Sequence, residues 1–115
     1  HITYATAAST IDARELLLYR AADEIDRLAR NHEAMTIEMR GRMQMDCSHG
    51  THMILEGAEK LFLSSGGSGL SLRNPIQQTS RALHAINMHG LLMLEPSAEL
   101  YGRTLLGLEP NTIII

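Results

Sequence analysis

Apolar residues recur along most of this chain at intervals of three and four, the period of a helix that buries one face. In residues 9–31 the repeating set is Ile11, Leu18, Ala21, Ala22, Ile25, Leu28 and Ala29. Ser9 or Thr10 is placed to cap this segment, Asp12 falls in its first turn, and Asn31 supplies a C-terminal stop. A second segment, residues 36–63, keeps the same period with Met39, Met43, Cys47, Ile54, Ala58 and Leu61. Gly50 and Gly57 interrupt it, each at a cost of about 1 kcal/mol against Ala, so close packing against a neighbouring helix is the expected reason for them. The segment has to stop within residues 64–69, where glycines at 66, 67 and 69 free the backbone. Pro75 suits the first turn of a third helix reaching about Leu92, and Pro96 opens a short fourth that runs to Leu106 and is stopped by Gly107. The tail, residues 109–115, is too short to classify. No stretch alternates with a period of two. The pattern predicts an all-α fold, two long antiparallel helices plus two shorter ones, in one domain over residues 1–115.

Composition agrees with helices. Hydrophobic residues make up 44% of the 115, drawn from Ala, Leu, Ile and Met, with no Val, no Trp and one Phe. Unbranched side chains lose little rotamer freedom in a helix. The net charge is −3 with both signs interspersed, and no basic stripe of the kind that neutralises a phosphate backbone is present, so a nucleic-acid partner is not expected. No apolar run approaches the roughly 18 residues of a membrane span, and the N-terminus does not resemble a signal peptide. The single cysteine, Cys47, precludes an intramolecular disulfide and fits a cytoplasmic protein. The absence of an initiator methionine leads us to expect a piece of a longer chain.

Few residues carry an evident chemistry on spacing alone. The glycine run could bring backbone N–H groups close to an anion or a flat cofactor, but no Gly-Lys-Ser/Thr follows it and no strand precedes it. Its bland reading is an interhelix loop. His49 and His52, three residues apart, could share a helix face as metal ligands, yet Cys47 falls on the apolar stripe and no fourth ligand is suitably spaced, so no metal is expected. Met35, Met39, Met43 and Met45 read as plastic core. On a continuous third helix His84 and His89 would be separated by about 140° around the axis and could not share a face.

Two stretches are more specific in combination. Residues 11–22, with Ala13-Arg14 followed by Leu16-Leu17-Leu18-Tyr19-Arg20-Ala21-Ala22, resemble the long helix of the C-terminal domain of acyl-CoA dehydrogenases. Gly66, Gly67, Gly69, Pro75 and Arg81 match, without a gap, that family's glycine-rich segment, its proline and the arginine of its Arg-Asp pair. The resemblance covers about residues 9–107. It is closest to the two-component flavin-dependent monooxygenase branch, in which a histidine commonly stands where His89 does. The stretch from Ala98-Glu99-Leu100-Tyr101-Gly102-Arg103 to Gly107 is also similar to the close of those enzymes.

The departures carry information too. Leu63 stands where dehydrogenases often have a cofactor-contacting Gln. Gly90 stands where their catalytic glutamate would fall, and a glycine cannot take a proton. Gln77-Gln78 replaces the branch's Gln-Arg, and Arg81-Ala82 its Arg-Asp.

The resemblance implies the C-terminal helical bundle of the acyl-CoA dehydrogenase fold, a domain of a longer enzyme that assembles as a homotetramer. It implies a monooxygenase using reduced flavin (FMN or FAD) from a separate flavin reductase and passing one oxygen atom of O2, through a C4a-hydroperoxyflavin, to a small organic substrate. His89 would be the catalytic residue, and Ser64, Ser65, Gly66 and Gly67 would pack near the flavin. An acyl-CoA dehydrogenase with its base upstream and a non-enzymatic helical assembly module are the alternatives.

Overall fold

The computed structural model describes residues 1–112 of the 115; the end of the C-terminal tail left unclassified above lies outside them. Four α-helices follow one another: α1 (Ile2–Asn31), α2 (Ile37–Ser64), α3 (Pro75–Asn87) and α4 (Leu94–Leu105), with a 3₁₀ turn (Gly66–Leu70) between α2 and α3. There is no strand among the described residues, and no helix is long and apolar enough to cross a membrane.

The long helix α2 is the hub. On one side, Gly57 lies over Ala7, Gly50 over Arg14, Asp46 bonds Arg20 and Arg42 reaches Glu24, so α1 runs antiparallel along its whole length. On the other side α3 and α4 lie end to end. Glu59 meets Ser80 and His84, and Thr51 meets Asn87, which places α3 on the C-terminal half of α2. Ser48 meets Ser97 and Gly41 lies against Thr104, which places α4 on the N-terminal half. Both run antiparallel to α2. Neither α3 nor α4 packs on α1.

Small residues make this close packing possible. Ala7 and Ala21 on α1 and Gly41, Ser48, Gly50, Thr51 and Gly57 on α2 are buried, whereas the larger apolar residues buried among the described residues are only Leu28, Met43 and Leu100. The expected apolar faces are therefore only partly inside: Ala21 and Leu28 are buried, but Ile11, Leu18, Ala22, Ile25 and Ala29 are exposed. Of the α2 stripe, Met43 alone is fully buried.

Helix ends follow local chemistry with three corrections. α1 begins at Ile2, not near Ser9, because the Thr6 and Thr10 hydroxyls donate to the carbonyls of Ile2 and Thr6 one turn back and the helix passes through them uncapped. Asp12 is thus mid-helix. Helix α1 ends with His32 in the left-handed region (φ 55°), its N–H and that of Glu33 closing back on Ala29 and Leu28. Thr36 caps α2 by accepting from the Met39 N–H, at the start expected for the second segment. α4 begins at Leu94, with Pro96 inside its first turn, where a missing N–H leaves no bond unmade. Gly107 (φ 68°) closes it as expected. The third correction concerns α3, which stops at Asn87 and not at Leu92.

Candidate active site

The early end of α3 changes the setting of His89. The Asn87 side-chain amide donates to the carbonyls of Leu83, one turn back, and Thr51 on α2, which fastens the helix end to its neighbour. Residues 88–92 then form a turn before α4. His89 lies in that turn, off the helix, so the 140° relation to His84 does not apply. Its Nδ1 accepts a hydrogen bond from the Leu91 N–H at 3.3 Å. A neutral ring held this way carries its proton on Nε2. His89, Gly90 and Leu91 line a surface pocket of about 480 Å³ with Gln44 of α2 and Pro96 of α4.

The turn is anchored from beneath. Ser48 and Ser97, both fully buried, approach each other Oγ to Oγ at 2.6 Å. Ser48 is also within bonding distance of the carbonyls of Gln44 (2.9 Å) and Leu91 (3.3 Å), and Ser97 of the Met93 carbonyl (2.9 Å). This pair joins α2, α4 and the His89 turn at one point. Spacing did not reveal it, because serines 49 residues apart meet only once α4 is laid on α2.

The glycine segment is a tight 3₁₀ turn. The Ser64 and Ser65 hydroxyls donate to the carbonyls of Leu61 and Phe62, closing α2. Gly66 adopts φ 63°, a conformation that costs an L side chain energy. Asn74 ties the turn to α3: its amide donates to the Ser68 carbonyl, and its side-chain oxygen caps the helix at the Ile76 N–H. A Cβ at Gly69 would overlap the Ser65 hydroxyl, so this glycine is needed for packing. At Gly66 and Gly67 a Cβ would meet nothing within 4 Å, which leaves open space above them. Ser64 and Ser65 line a pocket of about 310 Å³ with Tyr4, Leu61 and Ile76.

His89 and residues 64–67 are not brought together. They lie beyond opposite ends of α3, whose 13 residues span roughly 20 Å at 1.5 Å each.

His84 belongs to a different cluster. Glu59 Oε1 lies 2.9 Å from Ser80 Oγ, which donates to it, and 3.0 Å from His84 Nε2. This clamp holds α3 on α2. Cys47 is half-buried, and desolvation, with the Asp46 carboxylate as a lesser cause, pushes its thiol above the ordinary range. His49 is exposed, and His52 sits 3.6 Å from Glu56 one turn along. No group of three His, Cys, Asp or Glu among the described residues could hold a metal ion. Gln77, Gln78, Arg81 and Ala82, two pairs in which Gln78 and Ala82 depart from the motif the sequence otherwise resembles, line one open pocket with Leu72.

A long antiparallel pair, a glycine turn and two short helices laid end to end make up an all-α domain. Residues 1–93 match the family model of the acyl-CoA dehydrogenase C-terminal domain, and the chain belongs to that family. It is similar to the oxygenase subunit HsaA of a flavin-dependent monooxygenase from Mycobacterium tuberculosis, 31% identical over 99% of this chain and 29% of that protein. It is also similar to the oxygenase component of an FADH2-dependent resorcinol hydroxylase from Rhizobium sp., 27% identical over 93% of this chain and 27% of that protein. The crystal structure of 3-HSA hydroxylase from Rhodococcus sp. RHA1 superposes with a TM-score of 0.92 at 28% identity, covering 99% of this chain and 29% of that one. XiaF from Streptomyces sp., in complex with FADH2 and glycerol, gives a TM-score of 0.90 at 25% identity over 96% of this chain and 28% of that one. The chain thus spans less than a third of the length of the relatives it matches.

Proposed function

We propose that this chain is the C-terminal domain of the oxygenase component of a two-component flavin-dependent monooxygenase, which passes one oxygen atom of O2 to a small organic substrate. The observation that carries the reading is the pocket at the end of α3, where His89 keeps Nε2–H as a donor while Nδ1 is engaged by Leu91. The relatives above are oxygenases. Gly90 also leaves the position of a dehydrogenase's glutamate without a base.

The residues present fit a flavin. Gly66 and Gly67 are open on one side, so a flat ring or a phosphate can approach their backbone, which larger residues would prevent. Ser64 and Ser65 line the adjoining pocket. A bound reduced flavin supplies the electrons that activate O2. Residues 64–67 bind it, and His89 holds a proton at Nε2 where the oxygen or the substrate hydroxyl needs a donor. Because the glycine turn and His89 are about 20 Å apart along α3, one end of the domain serves cofactor binding and the other the reacting end. FAD or FMN comes from a separate flavin reductase, the oxygenase is a homotetramer, and it works in the cytoplasm, a compartment that suits the one unpaired cysteine.

The test uses the full-length protein with a flavin reductase and NADH. Anaerobic titration with reduced FAD and reduced FMN should show saturable binding, and admission of O2 with a panel of simple phenols should give hydroxylated product. No binding of either reduced flavin would overturn the proposal. Oxidation of an acyl-CoA by the flavin-loaded protein would replace it with the dehydrogenase alternative.

A further inference from the structure

The geometry points to Ser48, braced by Ser97, as a positioning residue that fixes the tautomer and placement of His89, an inference that rests on the reading of His89 as the proton-holding residue. Both hydroxyls are fully buried, where an unbonded polar group would cost stability. Their connections end on the functional turn. Leu91 is held at both its polar groups: its N–H donates to His89 Nδ1, and its carbonyl faces Ser48 Oγ at 3.3 Å.

Proton accounting gives the two serines distinct parts. Each hydroxyl has one proton, and the 2.6 Å contact requires one of them to donate to the other. If Ser48 donates to Ser97, it has nothing for Leu91. When Ser97 donates to Ser48, the Ser48 proton is free for the Leu91 carbonyl, shared with that of Gln44 at 2.9 Å. Ser97 has an acceptor of its own in the Met93 carbonyl at 2.9 Å, so Ser48 is the member of the pair that reaches Leu91, and through it His89, whenever Ser97 donates to it. With Leu91 fixed, its N–H keeps Nδ1 unprotonated and Nε2 protonated. With Leu91 free, the ring can turn and exchange tautomers. Gln44 belongs to both ends of this arrangement, since its carbonyl competes for Ser48 and its residue lines the His89 pocket.

The experiment compares Ser48→Ala, Ser97→Ala and His89→Ala with Ser80→Ala in the full-length protein. Ser80→Ala removes one hydroxyl bond to Glu59 at the other half of α2 and controls for a general loss of stability. Long-range 1H–15N NMR of histidine-labelled protein reads the His89 tautomer directly, with His89→Ala giving the assignment. Wild-type His89 should show a bare Nδ1 and a protonated Nε2. Ser48→Ala should show a tautomer mixture, whereas Ser97→Ala, which leaves the Ser48 proton free for the carbonyls of Leu91 and Gln44, should keep the wild-type tautomer. Ser80→Ala should match wild type.

In turnover, Ser48→Ala should divert oxygen from product to hydrogen peroxide by up to ~10²-fold, the scale of a misplaced catalytic group, with flavin affinity unchanged. A His89 signature identical to wild type in Ser48→Ala would overturn the positioning role. Full coupling in His89→Ala would instead overturn the reading of His89, whatever the tautomer data show. Should Ser48→Ala fail to fold, Ser48→Cys keeps the volume and weakens the donor, and the same tautomer criterion decides.

Discussion

At the scale of single residues, the two histidines near the end of α3 are told apart by what they touch. His89 stands in the turn with one nitrogen engaged by Leu91, whereas His84 bonds Glu59 across the α2–α3 contact. Replacing His89 by Ala should lower coupled product formation by ~10²–10⁴-fold, the range for a removed acid–base group. Replacing His84 should leave turnover nearly intact and cost at most about 1 kcal/mol, since this pair is largely solvent-exposed. Product and peroxide assays beside thermal melts measure both; equal coupling in the two variants would make His89 structural. Cys47 provides a second check. Its raised thiol pKa means that little thiolate exists at pH 7–8, so alkylation should be slow in the folded protein and reach the rate of an ordinary thiol once denaturant is added. Fast native-state labelling at neutral pH would contradict the burial.

Among the elements, the α1–α2 contact depends on how closely two backbones approach. A Cβ at Gly57 would lie 3.9 Å from Ala7, an ordinary contact, whereas one at Gly50 would lie 2.8 Å from Arg14 Cγ and force that side chain to move. Gly57→Ala should thus gain about 1 kcal/mol of helix propensity. Gly50→Ala should fall below it by at least about 1 kcal/mol, because overpacking offsets the same gain. Denaturant titration of the two side by side measures the difference, and equal stability would mean that Arg14 moves without cost. The end of α1 makes a different prediction. His32 occupies a left-handed conformation that glycine adopts freely. His32→Gly should raise stability by about 0.5–1 kcal/mol, net of the entropy glycine adds to the unfolded chain. A loss of stability would show that the imidazole makes a compensating contact.

For the molecule as a whole, three helices on one hub make a thin and elongated body. Its radius of gyration is 16.9 Å, against about 13.4 Å for a compact chain of this length. Its accessible surface is 7808 Å², against about 6,200 Å² for a monomer of this mass. The excess, on the order of 1,600 Å², is about twice what one partner contributes to a standard interface. Part of it is a stripe of Ile11, Leu18 and Ile25 spaced by sevens along α1. Expressed by itself, this chain should associate rather than persist as a dilute monomer. Sedimentation velocity over a concentration series measures this, and a well-folded monomer at low concentration would show that the stripe needs no cover.

Periodicity and local residue chemistry determined the helical class, the order of the four helices, the start of the second near Thr36, the stop at the glycine turn and the Gly107 terminus, since each depends on contacts within a few residues. The order and spacing of residues 11–22 and 66–107 carried the family. Three things were decided by tertiary contacts. Helix α3 ends at Asn87 because that side chain reaches Thr51 on another helix, and this moved His89 from a helix face into a turn. The apolar stripes of α1 and α2 stayed partly outside because small residues at the line of contact, which hydrophobicity ranks low, let the backbones approach. Ser48 and Ser97 became a pair only when α4 was laid along α2, and no local rule joins hydroxyls 49 residues apart. Local chemistry sets where a helix can begin and end, but which of its faces is buried depends on the shape of the neighbour it meets.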